Sequence, residues 1–328
     1  NLQGNLVFDQ TASVTNIGNG ARGVVLLGNI TPCVDNTALS YTCGTASTIA
    51  GGAALGNVGA FVNARAISST GTTIIKSKGG NNEGSVALLI GGSIAGGFVN
   101  SGPSTGNISA VAGTITGNGV APVMVVDPSA NLTTATSVIP GPIVFGIVPT
   151  SVDSVDGGKY GFINHGQITT RPLNNNESVL GLVITGASAT YSTTIDGGLL
   201  NTGIIQSTTA TSVNTNSSTS STAFIVGSYA HILKIVVLGE AASASNFTAG
   251  TINALINGPG GGSATALSLL ANADVPQIDV LTRGSIAAQI SSSTLAPSAT
   301  LATGSTPFLQ AAVAIIDASG SVKTINNA

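Results

Sequence analysis

Gly161-Phe162-Ile163-Asn164-His165-Gly166-Gln167-Ile168 is the stretch whose reading decides the fold. The same order of residue types returns as Gly97-Phe98-Val99-Asn100-Ser101-Gly102 and as Gly198-Leu199-Leu200-Asn201-Thr202-Gly203-Ile204-Ile205. Looser copies are Ala60-Phe61-Val62-Asn63-Ala64-Arg65-Ala66-Ile67 and Ile278-Asp279-Val280-Leu281-Thr282-Arg283-Gly284-Ser285-Ile286, and Thr324-Ile325-Asn326-Asn327-Ala328 begins another. A repeated strand-turn-strand unit builds a stack of like elements rather than one globular core. Phe162, Asn164, Gly166 and Ile168 share one alternation phase; Ile163, His165 and Gln167 share the other. Phe162 and Ile168 are therefore expected to point inward on two strands flanking a bend. Gly102, Gly166 and Gly203 are expected at the positive φ that a β-carbon disfavours. Stacking would place Asn63, Asn100, Asn164 and Asn201 above one another as an amide ladder of the cross-β kind. A simple hairpin turn is the competing explanation. Against it stand the recurrence of the order and the apolar residue that follows at a fixed offset.

A second element precedes each phrase: a short apolar strand closed by Gly or another turn residue. Examples are Val24-Val25-Leu26-Leu27-Gly28, Ala87-Leu88-Leu89-Ile90-Gly91, Leu182-Val183-Ile184-Thr185-Gly186, Ala223-Phe224-Ile225-Val226-Gly227 and Ala312-Val313-Ala314-Ile315-Ile316-Asp317. The two elements interleave, which predicts rungs of roughly twenty residues, the size of one coil of a parallel β-helix. Sixteen or so such coils would stack to roughly 75 Å. The expected class is all-β, a parallel β-solenoid with loops extruded at coil corners. The extrusions are expected at 101–140, 206–222, 258–265 and 291–307, which are rich in Pro, Gly, Ser and Thr. Residues 1–80 are less periodic and read as a cap over the exposed first strand edge; residues 81–328 read as the solenoid.

Composition agrees with an ordered, weakly charged surface. The 328 residues include 9 basic and 12 acidic side chains, 44 Gly and no Trp, and the hydrophobic fraction is 42%. Gly/Ser/Thr-rich chains are often disordered, but here the Val, Ile and Leu residues cluster between glycines as strands do. With a net charge of −3 and no basic patch, nucleic acid is excluded as a partner class. A hydroxyl-rich surface of low charge repels neighbours weakly, which suits self-association or contact with a host or cell surface. Cys33 and Cys43 are the only cysteines. In an oxidising compartment they are expected to pair, closing a small loop worth about 2–3 kcal/mol. There is no initiator Met, no signal peptide and no apolar run long enough to span a bilayer. The chain begins and ends in mid-pattern, which predicts a segment of a longer precursor.

Serial apolar strands with Phe-Val-Asn-x-Gly-x-Ile corners resemble the passenger regions of autotransporters and related large surface proteins of Gram-negative bacteria. The resemblance covers about 80–328. It implies a right-handed β-helix, display at the cell surface or secretion, and a role in adhesion, aggregation or coating. Such passengers are usually more regular than residues 100–160 here, disulfides are uncommon in them, and the family's membrane-anchoring barrel has no counterpart in this sequence.

Parallel β-helices also include polysaccharide lyases and hydrolases, which need paired carboxylates or calcium ligands with a nearby base. The acids of this chain are spread evenly. The densest group is Asp153, Asp156 and Lys159. It reads either as a calcium-binding corner or as a solvated loop before the strand at 160. The loop is preferred, because one or two carboxylates rarely complete a hard-cation shell. His165 occupies a phrase position held elsewhere by Ser101, Thr202 or Ala64, and so reads as an exposed turn residue. His231 reads as a strand-edge residue. No nucleophile elbow, zinc-protease helix or phosphate loop is present. The sequence therefore predicts no catalytic residue, no metal site and no cofactor. It predicts an extracellular structural solenoid acting as scaffold, coat or fibre. The alternatives are an adhesin binding through its loops at 101–140 or 206–222, and a β-helical lyase or hydrolase using Asp153 and Asp156.

Overall fold

The computed structural model describes residues 1–8, 13–18, 20, 22–35, 43, 55–71, 86–100, 113–131, 141–212, 219–241, 247–258, 262–291 and 310–328. Strands stack into long parallel sheets. The first sheet has eight strands: Leu6–Phe8, Phe61–Asn63, Phe98–Asn100, Phe162–Asn164, Leu199–Asn201, Ile235–Val237, Gln277–Val280 and Thr324–Asn327. It gathers every copy of the phrase and adds two strands from outside those copies, Leu6–Phe8 and Ile235–Val237. The second sheet takes the strands that follow the phrase: Val14–Ile17, Ala66–Thr70, Thr114–Asn118, Gln167–Arg171, Ile204–Ala210, Thr251–Asn257 and Ser285–Ser291. The third holds the apolar strands read from sequence, at Val24–Leu26, Leu88–Ile90, Met124–Val126, Val179–Ile184, Ser220–Val226, Gly262–Leu269 and Gln310–Asp317. A fourth, shorter side pairs Ile143–Phe145, Thr193–Ile195 and Ala230–Ile232. The architecture is a parallel β-helix.

The coil is longer than the sequence reading expected. Asn164 precedes its neighbour Asn201 by 37 residues, and Asp279 precedes Asn326 by 47. The asparagine phrase and the apolar strand are two sides of one coil, not successive rungs. Each coil carries up to four strands and their turns, which takes about twice the expected length. Eight stacked strands span about 34 Å rather than 75 Å.

Inside, the stack aligns like with like. Ile67, Ile115, Ile168, Ile205 and Ile252 form one fully buried column. Phe61, Phe98 and Phe162 form another, with successive ring centroids 5.1 and 4.6 Å apart, while Phe8, whose strand partner is Asn63, leans on Phe61 at 5.6 Å. Each such side chain contributes about 1.5–3 kcal/mol of burial. The asparagines stack one above another: Nδ2 of Asn63, Asn100 and Asn164 donates in turn to Oδ1 of Asn100, Asn164 and Asn201, at 2.8, 2.7 and 2.6 Å. Asn201 ends the run by donating to the Thr251 carbonyl at 3.0 Å.

Two local expectations fail. The glycines after the asparagine do not need positive φ. The left-handed glycines stand before the strand, at Gly97, Gly197 and Gly198. Gly203 is required for a different reason: a β-carbon there would sit 2.0 Å from the Gly166 carbonyl of the coil below. Gly102 lies outside the described residues, as does most of 291–307. The expected extrusions at 101–140, 206–222 and 258–265 contain coil strands, at Thr114–Asn118, Met124–Val126, Ile204–Ala210, Ser220–Val226 and Gly262–Leu269. Hydroxyl-rich sequence is strand here because its inward hydroxyls at Ser207, Thr209 and Ser221 are satisfied. Ser207 and Ser221 bond each other at 2.7 Å, and Thr209 donates to the Glu177 carbonyl at 2.6 Å.

At the N-terminal end, Leu6–Phe8, Val14–Ile17 and Val24–Leu26 are the outermost strands of the three long sheets. Cys33 and Cys43 form a disulfide. Among the described residues no helix is long and apolar enough to cross a membrane.

Candidate functional site

The first sheet is covered on its outer face as well as its inner one. Val62, Val99, Ile163, Leu200 and Val236 point away from the coil interior, yet they are buried with Leu55, Val148 and Val152. The cover over the middle coils is the segment 147–160, a compact surface loop whose ends meet. Val148 N–H donates to the Tyr160 carbonyl at 2.9 Å, and Gly158 N–H returns to Val148 at 2.6 Å. Inside it Asp153 N–H bonds the Pro149 carbonyl at 3.1 Å and Gly157 N–H bonds the Asp153 carbonyl at 3.0 Å. Gly157 is needed, since a β-carbon would lie 2.2 Å from that Asp153 oxygen. Ser151 Oγ donates to the Leu55 carbonyl at 2.9 Å and joins this loop to the neighbouring cover.

Where the loop meets the corner, three titratable side chains converge. Asp153 Oδ2 lies 2.7 Å from His165 Nε2. The other imidazole nitrogen, Nδ1, lies 2.7 Å from Thr202 Oγ1, which belongs to the next phrase along the stack. Asp153 Oδ1 accepts the N–H groups of Val155 and Asp156 at 3.0 and 3.1 Å. One ligand atom each from Asp153, Asp156 and His165 lie within 4.8 Å of one another. Lys159 Nζ stands 3.8 Å from Asp156 Oδ1, on a side chain that is 58% exposed.

Burial pushes the Asp153 carboxyl up. The hydrogen bond and charge of His165, with the N–H groups of Asp156 and Val155, outweigh it and hold the carboxyl below the usual carboxylate value. Burial, aided by the charges of Asp156 and Asp279, pushes the Tyr160 hydroxyl up. Lys234 Nζ sits over the Tyr160 ring, 4.9 Å from its centre.

These positions correct two expectations. Asp153 and Asp156 are not on a solvated loop: they are 4% and 9% exposed. His165 is not an exposed turn residue, since its side chain is 14% exposed between Asp153 and Thr202. The cause is the covering loop, which folds back over the corner and brings position 153 against position 165. Alignment of the phrases already set His165 beside Thr202; nothing local in sequence places Asp153 there. His231 stays on the outer side of its strand and meets Asp274 at 3.3 Å, with both side chains largely exposed.

Chemically, Asp153–His165–Thr202 has the order of a hydrolase relay. Its hydroxyl residue is 1% exposed, however, so a substrate has no approach to the would-be nucleophile. What the arrangement can do is join a loop to the stack and offer two oxygens and a nitrogen to a cation. Comparison with protein-family models, curated proteins and solved structures finds no match to this chain.

Proposed function

We propose that this chain is a non-catalytic structural β-solenoid of the bacterial cell surface, acting outside the cell as a scaffold, coat or fibre. The reading is carried by one observation: eight parallel strands stack in register around an unbroken apolar interior with a buried amide column. Such a stack resists separation along its axis, because each coil is joined to the next by backbone bonds on several sides at once. The Cys33–Cys43 disulfide supports an oxidising compartment. Outward Thr, Ser and Gln residues of the second sheet, such as Thr116, Thr169 and Gln206, supply an uncharged polar face for neighbours. Self-association or contact with a host surface is the mode of action this suggests.

The test is location followed by activity. Protease treatment of intact source cells should remove the protein, and alkylation of the released material should find no free thiol. A protein retained inside the cell with Cys33 and Cys43 reduced would overturn the reading. So would turnover of any polysaccharide that is lost in Asp153→Asn, since that outcome belongs to a β-helical lyase or hydrolase.

A further inference from the structure

We propose that Asp153, Asp156 and His165 bind one divalent ion of the zinc class, which bolts the covering loop 147–160 to the coil. The proposal goes beyond the scaffold reading and does not depend on it. The donors form a mixed set, two carboxylates and one imidazole, with one ligand atom each inside 4.8 Å. They are also shielded: Asp153 is 4% and Asp156 9% exposed. A cation held among them would meet carboxylate charge with little water to screen it. Lys159 Nζ lies 3.8 Å from Asp156 Oδ1, on a largely exposed side chain.

A separate residue orients the nitrogen donor. Thr202 Oγ1, 2.7 Å from His165 Nδ1, can accept that N–H and leave the Nε2 lone pair facing the carboxylates. Metal-bound histidines are held in this way by an acceptor on the far nitrogen. Thr202 is 1% exposed, so water does not compete for the bond. Asp153 is oriented too, because its Oδ1 is occupied by two backbone N–H groups and its Oδ2 is aimed at His165.

An imidazole with two carboxylates suits Zn2+ better than Ca2+ or Mg2+, and three protein ligands leave a fourth tetrahedral position for water. No thiolate competes, because both cysteines are bonded to each other. In the metal-free site Asp153 Oδ2 and His165 Nε2 share a proton across 2.7 Å. Zn2+ replaces that proton, which goes to solvent, and the two atoms separate to about 3.3 Å as ligands of one tetrahedral ion.

The experiment is calorimetric titration of the EDTA-treated full chain with Zn2+, read alongside the 15N imidazole shifts of the two histidines. One ion per chain is expected, with His165 Nε2 shifting and His231 unmoved. Asp156→Asn keeps the Asp153–His165 bond; its Zn2+ affinity should fall about 10- to 100-fold, and the rise in melting temperature that Zn2+ gives over EDTA should shrink with it. His231→Ala should bind as the parent does. Absence of saturable binding at millimolar Zn2+ would overturn the proposal. Binding of unchanged strength in both Asp156→Asn and His165→Ala would also overturn it, as would binding lost in His231→Ala.

Discussion

The first and second sheets share the same coils and the same stacking, yet their burial differs. In the first, all three positions of Phe61–Asn63, Phe98–Asn100, Phe162–Asn164, Leu199–Asn201 and Ile235–Val237 are buried. In the second, Thr114–Asn118 and Ile204–Ala210 alternate strictly between half-buried and buried. The inner face of each is set by the coil above and the coil below. The outer face is set by what lies on it: a packed cover over the first sheet and, among the described residues, nothing that fully buries the second. At Asp279 the outer column of the first sheet turns polar, and the Gln277 and Asn326 side chains hydrogen-bond its carboxylate at 2.7–2.9 and 2.6 Å.

The largest effect should come from the inner column that both sheets depend on. Phe162 stacks on Phe98 and lies between strands on both sides. Phe162→Ala should cost about 3–5 kcal/mol, because neighbours held in register cannot collapse into the gap. Urea denaturation measures it. A cost below about 1 kcal/mol would mean that the stack relaxes along its axis and the inner face is not rigidly set.

The amide column comes next. Asn164→Ala removes the acceptor for Asn100 Nδ2 and the donor for Asn201 Oδ1 in a fully buried corner. Two unmet polar groups should cost about 2–4 kcal/mol. Ile163→Ala, one residue earlier and facing the cover, should cost only about 2 kcal/mol, the low end for such a truncation, since a surface loop can settle inward. An Ile163 effect larger than that of Phe162 would reverse the comparison and make the cover, not the coil, the main source of stability.

Much of this contrast was legible in the sequence. The phrase copies fixed which residues share a face, and the ladder of asparagines follows from phase alone. The apolar strand before each phrase is legible, but on spacing alone it reads as a rung of its own. Periodicity gives the distance between like elements and is silent on how many sides a coil has. The stretch 206–222 reads as loop, because Ser and Thr look like turn residues when their buried partners cannot be seen; Ser207 of the second sheet and Ser221 of the third supply each other. The Asp153–His165 contact was out of reach for another reason. It depends on a loop folding back over a corner, and Asp153 falls outside any phrase. The surviving clue was that Val62, Val99, Ile163, Leu200 and Val236 are apolar on the phase that ought to face water.

Acid should loosen the cover before it loosens the coil. The folded Asp153 carboxyl lies below its usual value of 3.8, so it stabilises the folded form at pH above that value. The contribution is lost as pH falls through the folded value. In EDTA, hydrogen-exchange protection within 147–160 should drop on acidification, with the amides of Phe162 and Ile168 keeping theirs. Simultaneous loss from loop and coil would mean that the two are one cooperative unit and that the outer face of the first sheet is no separate layer.

The smallest effect should lie on the open face of the second sheet. Thr116, Thr169 and Gln206 are successive neighbours in its outward column, and Gln206 Nε2 donates to Thr208 Oγ1 at 2.9 Å along the same strand. Replacing all three by Val would give this face the apolar stripe that the first sheet hides. Val suits a pleated surface and the inner isoleucines keep the register, so each change should stay within about 0.5 kcal/mol. The consequence should appear between molecules instead: light scattering should show association that the parent lacks at the same concentration, because an apolar stripe without a cover seeks a partner. A triple variant that unfolds, or one that stays as dispersed as the parent, would show that the outer faces of the two sheets differ by more than what covers them.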